Sequence, residues 1–309
     1  MYKLFSLLVL LMFTTSAKAE DSIKFLVGFA PGGGQHIVTT IISNAATSNG
    51  ISNRLIFKEG AGGIIGMNEC VALASKNTLC MATQAQYVHS IVLNENVRKF
   101  NPEELTYVKP IGLSPGVLVT NIENTKTLKE IVSEIKTKKV NFGNGALGLT
   151  VLTNWVLKQL GPIDAAMVDF KGTGPVLTNI MGKQIDYAIM PYAVAKNAYA
   201  QGQVRIVASL GESEELSRRG VPRLQTMVPN VDDDYTIFGF VMAPNMNRQI
   251  VKQHENMLTT LLASPIVRQQ LLEQGISPIG DKMQNYTFAD IAKSERIKLA
   301  KLLEAMPKR

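Results

Sequence analysis

The apolar positions of this chain form short runs of two kinds that take turns along its length. Compact runs rich in β-branched and aromatic residues predict strands: IKFLVGF, RLIFKE, TLCMAT, VNFG, AAMVDF, IDYAIM and VRIVASL. Between them lie longer stretches whose apolar residues recur three and four apart, among them HIVTTIISNAATS, TLKEIVSEIKTK, GALGLTVLTNWVLKQLG, PVLTNIMGK and VAKNAYAQG. These predict helices. YVKPIGLSPGVLVTN reads as two extended pieces split by proline and glycine, and the chain after Asn247 reads as helical. Strand and helix alternating in this way predict an α/β fold of parallel sheets with helices on both faces. No internal repeat of fixed period is present.

The first nineteen residues stand outside this pattern. Lys3 precedes the apolar run LFSLLVLLMF, and Ala17-Lys18-Ala19 forms a small-residue cleavage site before Glu20. This reads as a secretory signal peptide cut after Ala19 rather than a membrane anchor, because the run is too short to span a bilayer well. Cleavage removes Lys3 and Lys18, so the formal net charge of +7 becomes +5. That mild basicity suits an acidic ligand, while the scattered basic residues and export argue against nucleic acid. Two cysteines, Cys70 and Cys80, fall in an expected helix and the strand after it. Export permits a disulfide, separate buried thiols remain an equal alternative, and an ordinary zinc site is excluded by their number.

Two glycine-rich turns each lead from a strand into a helix: Pro31 to Gly34, and FGNGALG over 142–148. Helix N-termini with bare backbone are good anion sites, because the first N–H groups have no partner within the helix. Facing each other across a cleft, the two turns would clasp one anionic ligand. GGGQHIVTT lacks the Gly-Lys-Ser/Thr ending of a phosphate-binding loop, and GAGGIIG has Ile65 where a dinucleotide fingerprint needs its last glycine. GAGGIIG therefore reads as a close-approach turn. No catalytic set is evident. His36, His89 and His254 are the only histidines; His254 reads as solvated, His89 as loop filler or cleft edge, and Asp232–Asp234 as a solvated loop. An enzyme is not expected, nor a cofactor or metal.

Several segments, in order, carry a resemblance. IKFLVGFAPGGGQHIVTTIISNAATSNG, RLIFKEGAGGIIGMNECVALA, VNFGNGALG, VDFKGTGPVLTNIMGKQIDY, FGFVMAP and LLASPIVRQQLLEQGISPIG together resemble the substrate-binding proteins of tripartite tricarboxylate transporters, the Bug (TctC-like) family. The likeness spans essentially the whole chain after Ala19. It implies a two-domain venus-flytrap protein with the type II periplasmic-binding-protein fold. Such a protein is a monomeric periplasmic receptor that delivers a small organic carboxylate to integral-membrane transporter subunits. A sensor partner, or less favoured an enzyme, on the same fold is the alternative. The implied domains are 20–119 plus 240–309 and 120–239, with hinge crossovers near Val117–Asn121 and Ile237–Val241.

Matched position by position, the resemblance assigns ligand contact to Ala30, Gly32, Gly33, Gly34, Gln35 and His36 of the first loop, to Gly62 and Gly63, and to Thr83. In the second domain it assigns Gly143, Asn144, Gly145, Ala146, Leu147, Gly148, Leu149 and Thr150. Lys171, in a Phe-Lys-Gly match to the family's Tyr-Lys-Gly, either faces the ligand or is solvated. The family usually has Asp at His36, Gly at Ala146, Ser or Thr at Leu149 and Pro at Asp169. His36 either makes the site more favourable to a carboxylate or opens the first helix and points away. Leu149 implies an apolar wall and an acid less polar than citrate.

Overall fold

The computed structural model describes residues 22–91, 96–145, 147–161, 163–279 and 286–304. The expected signal peptide lies outside them. The elements follow in the order β1 (Ile23–Val27), α1 (Gly34–Ser48), β2 (Asn53–Phe57), α2 (Ile64–Leu73), β3 (Thr78–Ala82), α3 (Gln84–Tyr87) and β4 (Thr106–Asn121). Next come α4 (Leu128–Thr137), β5 (Val140–Asn144), α5 (Leu147–Leu160), β6 (Ala165–Asp169), α6 (Thr173–Met181), β7 (Tyr187–Pro191), α7 (Tyr192–Ala200), β8 (Val204–Ser209) and α8 (Glu214–Arg218). The chain ends with β9 (Tyr235–Met242), α9 (Arg248–Ala263), α10 (Pro265–Glu273), β10 (Ser277–Pro278) and α11 (Phe288–Glu304).

These strands build two lobes. In the first, β2, β1 and β3 run parallel, β9 pairs antiparallel with β3, and β4 pairs antiparallel with β9. In the second, β6, β5 and β7 run parallel, and β4 pairs antiparallel with both β7 and β8. One strand thus serves both sheets. Thr106–Pro115 of β4 lie against β9, and Gly116 onward lie against β7 and β8. The stretch expected to be two extended pieces is a single strand. Pro110 and Gly112 border register shifts, between Tyr107 and Lys109 and between Pro110 and Gly112, where a missing or misaligned donor costs the ladder least, and Pro115 and Gly116 stand where β4 passes from one sheet to the other. The chain crosses back beside the same point: Gly116 N–H donates to the Asp234 carbonyl at 3.1 Å, and Leu210 N–H donates to the Gly116 carbonyl at 2.8 Å.

Each sheet is covered on both faces, as parallel strands require. In the first lobe, Phe25, Phe240, Leu79 and Met81 pack with α1, α9 and α10 on one face, the Phe25 and Phe240 rings 5.3 Å apart. On the other face Tyr87, Tyr107 and Phe288 meet edge-on at 5.2 to 6.0 Å and tie α11 to β4 and α3. In the second lobe Phe142 and Tyr187 anchor the α4 and α5 side, and Val117, Met190 and Tyr192 the α6 and α7 side. The amphipathic stretch TLKEIVSEIKT becomes α4, started by a reciprocal cap between Thr127 and Glu130.

Cys70 of α2 and Cys80 of β3 are bonded, their Cα atoms 6.2 Å apart, so the pair is a disulfide rather than two thiols. His254 corrects a reading. It is buried, with Nε2 2.7 Å from the Lys76 carbonyl, because α9 lays this position against the loop before β3. Among the described residues no helix is long and apolar enough to cross a membrane.

Candidate functional site

The cavity lies between the lobes and holds about 1040 Å³, including the solvent at its mouth. Its floor is backbone. Gly33 caps α1 with no side-chain hydrogen bond, Gly172 does the same for α6, and Pro191 for α7. Gly33, Gly34 and Gln35 from the first lobe and Gly145, Thr173 and Pro191 from the second all line the cavity. At α7 the Ala193 N–H is taken by Ser114 Oγ at 2.9 Å; the α1 and α6 starts, with no side-chain cap, present N–H groups and the positive end of the helix dipole, which favour an anion.

The two floors touch. Ala30 N–H donates to the Lys171 carbonyl at 3.4 Å, across the lobes. A Cβ added at Gly174 would stand 3.1 Å from the Pro31 carbonyl oxygen and 3.2 Å from the Gly32 carbonyl carbon. Gly145 is packed tighter still, since its Cβ would lie 2.5 Å from Thr173 N. Glycine is needed at these places because backbone approaches backbone with no room for a side chain.

The first loop is held from behind by amides. Gln35, buried and facing the cavity, accepts from Gly28 N–H at 3.3 Å and donates to Gln86 Oε1 at 3.0 Å. Gln86 Oε1 also accepts from Thr83 N–H at 2.9 Å, and its Nε2 donates to the Gly62 carbonyl at 3.3 Å. Gly62 and Gly63 therefore brace the loop and do not border the cavity. The expected close-approach turn is here: a Cβ on Gly66 would meet Gly28 Cα at 2.7 Å. Thr83 borders the cavity, capping α3.

His36 is turned outward. Its Nδ1 accepts from Gly32 N–H at 2.9 Å, its ring meets Phe57 edge-on at 5.4 Å, and it is not on the cavity wall. Burial holds its pKa below the usual histidine value, which agrees with an Nδ1 that carries no proton. Lys171 is exposed and offers its carbonyl rather than its ammonium to the first loop. Gly143 and Asn144 are buried behind the wall, with Asn144 Nδ2 3.4 Å from Asp169 Oδ1. Ala146 lies outside the described residues. Leu147, Gly148, Leu149 and Thr150 open α5, where only the backbone is described.

Apart from His89, whose cleft-edge alternative is the one the structure supports, the rest of the wall was not foreseen. Leu152, Trp155, Phe29, Phe238 and Leu299 make it largely apolar. The segment Asp232–Asp234 and Glu295 and Lys298 of α11 line the cavity as well. Asp232–Asp234 form an irregular stretch with Asp232 exposed, as read from the sequence, and the crossover into β9 also sets them on the cavity. Asp233 pairs with Arg223, and Lys298 Nζ donates to the Asp233 carbonyl at 3.1 Å. Burial raises the Asp234 pKa to about 6; Glu295 and Asp233 push the same way, and Lys298 opposes. Glu295 Oε2 stands 3.4 Å from Gln84 Nε2. His89 is on the wall too, uncharged at neutral pH because burial lowers its pKa to about 4. The signal for this half was slight: an acidic run immediately before a strand that returns from one lobe to the other.

Two lobes joined by a shared strand, with uncapped helices converging on the gap between them, define a binding-protein fold, and solved structures match it over nearly their whole length. MatC (Rpa3494) from Rhodopseudomonas palustris with bound malate is 19% identical, with a TM-score of 0.81, over 91% of this chain and 98% of that one. The periplasmic binding protein BugD is 16% identical, with a TM-score of 0.84, over 92% and 97%. R. palustris Rpa4515 with adipate is 19% identical, with a TM-score of 0.81, over 92% and 96%. Curated protein sequences give no match. The sequence model of the tripartite tricarboxylate transporter family receptor, TctC, matches residues 44–306, and the chain belongs to this family.

Proposed function

We propose that this protein is a periplasmic receptor that captures a small organic carboxylate between its lobes and delivers it to a membrane transporter, without bond chemistry. The observation that carries the reading is the meeting of uncapped helix starts from opposite lobes, at Gly33–Gln35 and Thr173, on one largely apolar cavity. Family membership and the malate and adipate held by its structural neighbours agree with it. His36, turned away, takes no direct part in holding the ligand in this arrangement, and selectivity falls to Gln35, Thr83, Thr173 and the wall residues.

The strand pairings favour a hinge at Pro115–Gly116 and Asp234–Tyr235, which divides the chain into 20–115 plus 235–309 and 116–234. Rotation there opens and closes the cavity, and the Ala30–Lys171 bond closes it. The protein is expected to run as a monomer in size-exclusion chromatography. A thermal-shift panel of mono-, di- and tricarboxylates, followed by calorimetry, tests the reading, since a ligand that binds only the folded chain raises its melting temperature. No shift and no heat with any acid defeats it; consumption of a bound acid on incubation would make the protein an enzyme instead. Loss of uptake of the bound acid on deleting the gene tests delivery.

A further inference from the structure

Gln86 stands behind the first loop, buried, and does not border the cavity. Its Oε1 accepts from Thr83 N–H at 2.9 Å, from the Thr83 hydroxyl at 3.2 Å and from Gln35 Nε2 at 3.0 Å. Its Nε2 donates to the Gly62 carbonyl at 3.3 Å. The Gly62–Gly63 turn makes the seat, since a Cβ on Gly63 would stand 1.9 Å from Gln86 Nε2. The direction of each of these bonds is fixed by backbone. Thr83 N–H can only donate and the Gly62 carbonyl can only accept, so the Gln86 amide lies one way round. Gly28 N–H orients Gln35 in the same manner: Oε1 accepts it at 3.3 Å, and Nε2 is left as the donor to Gln86. Gln86 Oε1 carries no hydrogen, so in its bond with Thr83 the hydroxyl is the donor. Gln35 and Thr83 both line the cavity. The one hydroxyl proton of Thr83 is turned to Gln86, which leaves lone pairs for a ligand, while Gln35 keeps a second N–H to give.

We propose that Gln86 is a positioning residue of the carboxylate site: by accepting from both neighbours it makes Gln35 a donor, and Thr83 an acceptor, toward the bound acid. This rests on the reading of the cavity as a carboxylate site, and it adds the direction of two hydrogen bonds there. A carboxylate oxygen suits Gln35. Against Thr83, a ligand group with a hydrogen to give completes a bond, whereas a carbonyl or carboxylate oxygen would set lone pairs against lone pairs. A threonine free to turn would take either group, because a hydroxyl both donates and accepts. The discrimination at Thr83 therefore originates in Gln86, which touches no ligand itself.

Isothermal titration calorimetry with two sets of acids tests the proposal. One set is lactate, pyruvate and propionate; the other is 2-hydroxyglutarate, 2-oxoglutarate and glutarate, with each hydroxy acid taken as both enantiomers. Within a set the chain is constant, and the second carbon carries a donor, an acceptor alone, or neither. One hydroxy acid is expected to bind at least ~10-fold tighter than its oxo partner. Gln86→Met removes the acceptor and frees the Thr83 hydroxyl to turn, so that ratio should fall below about threefold. Thr83→Val should abolish it, and Thr83→Ser should keep it. Folding of each variant is checked by circular dichroism. A merely structural Gln86 would weaken all the acids of a set together and leave the ratio unchanged. Equal binding of hydroxy and oxo acids in both sets overturns the proposal while leaving the carboxylate reading in place. So does a ratio that survives Gln86→Met or Thr83→Val, or failure of both sets when another acid binds. The wild-type ratio and its loss in Thr83→Val still decide the matter if Gln86→Met does not fold. If no acid of any kind binds, the carboxylate reading itself falls.

Discussion

Asp234→Asn should make the ligand-free protein more stable, and only above mildly acidic pH. The native carboxyl titrates at about 6, against 3.8 for the free side chain, chiefly because burial penalises its charge. The sign follows from proton counting. Between these two values the folded state binds more proton than the unfolded state, so wild-type stability falls as pH rises from about 4 to about 6 and stays low above that. A shift of about two units corresponds to about 3 kcal/mol at most. Asparagine has nearly the same shape and no charge to desolvate. Differential scanning calorimetry at intervals from about pH 4 to pH 8 reads the effect. The variant should melt roughly 6 °C above wild type at pH 7.5, and the two should converge near pH 4. Equal melting temperatures at pH 7.5, or a gap that persists in acid, would refute the claim that a buried charge at this wall is held at a cost.

Gly174→Val places a side chain against Pro31 and Gly32, so it should prop the lobes apart: carboxylate affinity should drop at least ~10-fold, small-angle scattering should show a larger radius of gyration, and the melting temperature of the free protein should hardly move. Cys70→Ser removes the bridge between α2 and β3; closing a loop of this length is worth about 3 kcal/mol, and a calorimetric loss below about 1 kcal/mol would contradict the account. His36 has a lowered pKa, so its contribution is complete above the ordinary histidine value and is lost as pH falls through it. His36→Gln should therefore flatten the decline of wild-type stability between about pH 7 and pH 5, and a ring titration by NMR at or above 6.5 would count against the Gly32 hydrogen bond.

The first lobe's opening was legible residue by residue, because β1–α1–β2–α2–β3 follows local rules: alternating strand runs, helix periodicity and glycine where loops approach. The backbone floor at the helix starts was legible for the same reason, since glycine before a helix start is a local signal. What depended on distant pairing was not. Pro110, Gly112 and Pro115 look like strand breakers until β9 pairs with them, with β4 itself bulging beside Pro110 and Gly112. His254 looks solvated until the loop at Lys76 closes over it. Asp232–Asp234, a charged run of the kind that normally faces water, lies at the cavity only because the chain must recross between lobes there. Half of the cavity lining was visible from composition at one turn, and the other half was set by topology.

The position of β9 has a consequence for how the molecule is made. It is the central strand of the first sheet, between β3 and β4, yet more than a hundred residues separate it from β4 in the chain. During synthesis the second lobe, contiguous from Gly116 to Asp234, can close by itself. The first cannot, because both β3 and β4 keep an open edge until Tyr235–Met242 arrive. Chains that stop short of β9 should therefore carry a finished second lobe and a sticky, half-built first one, and they are the form for which chaperones and proteases would compete.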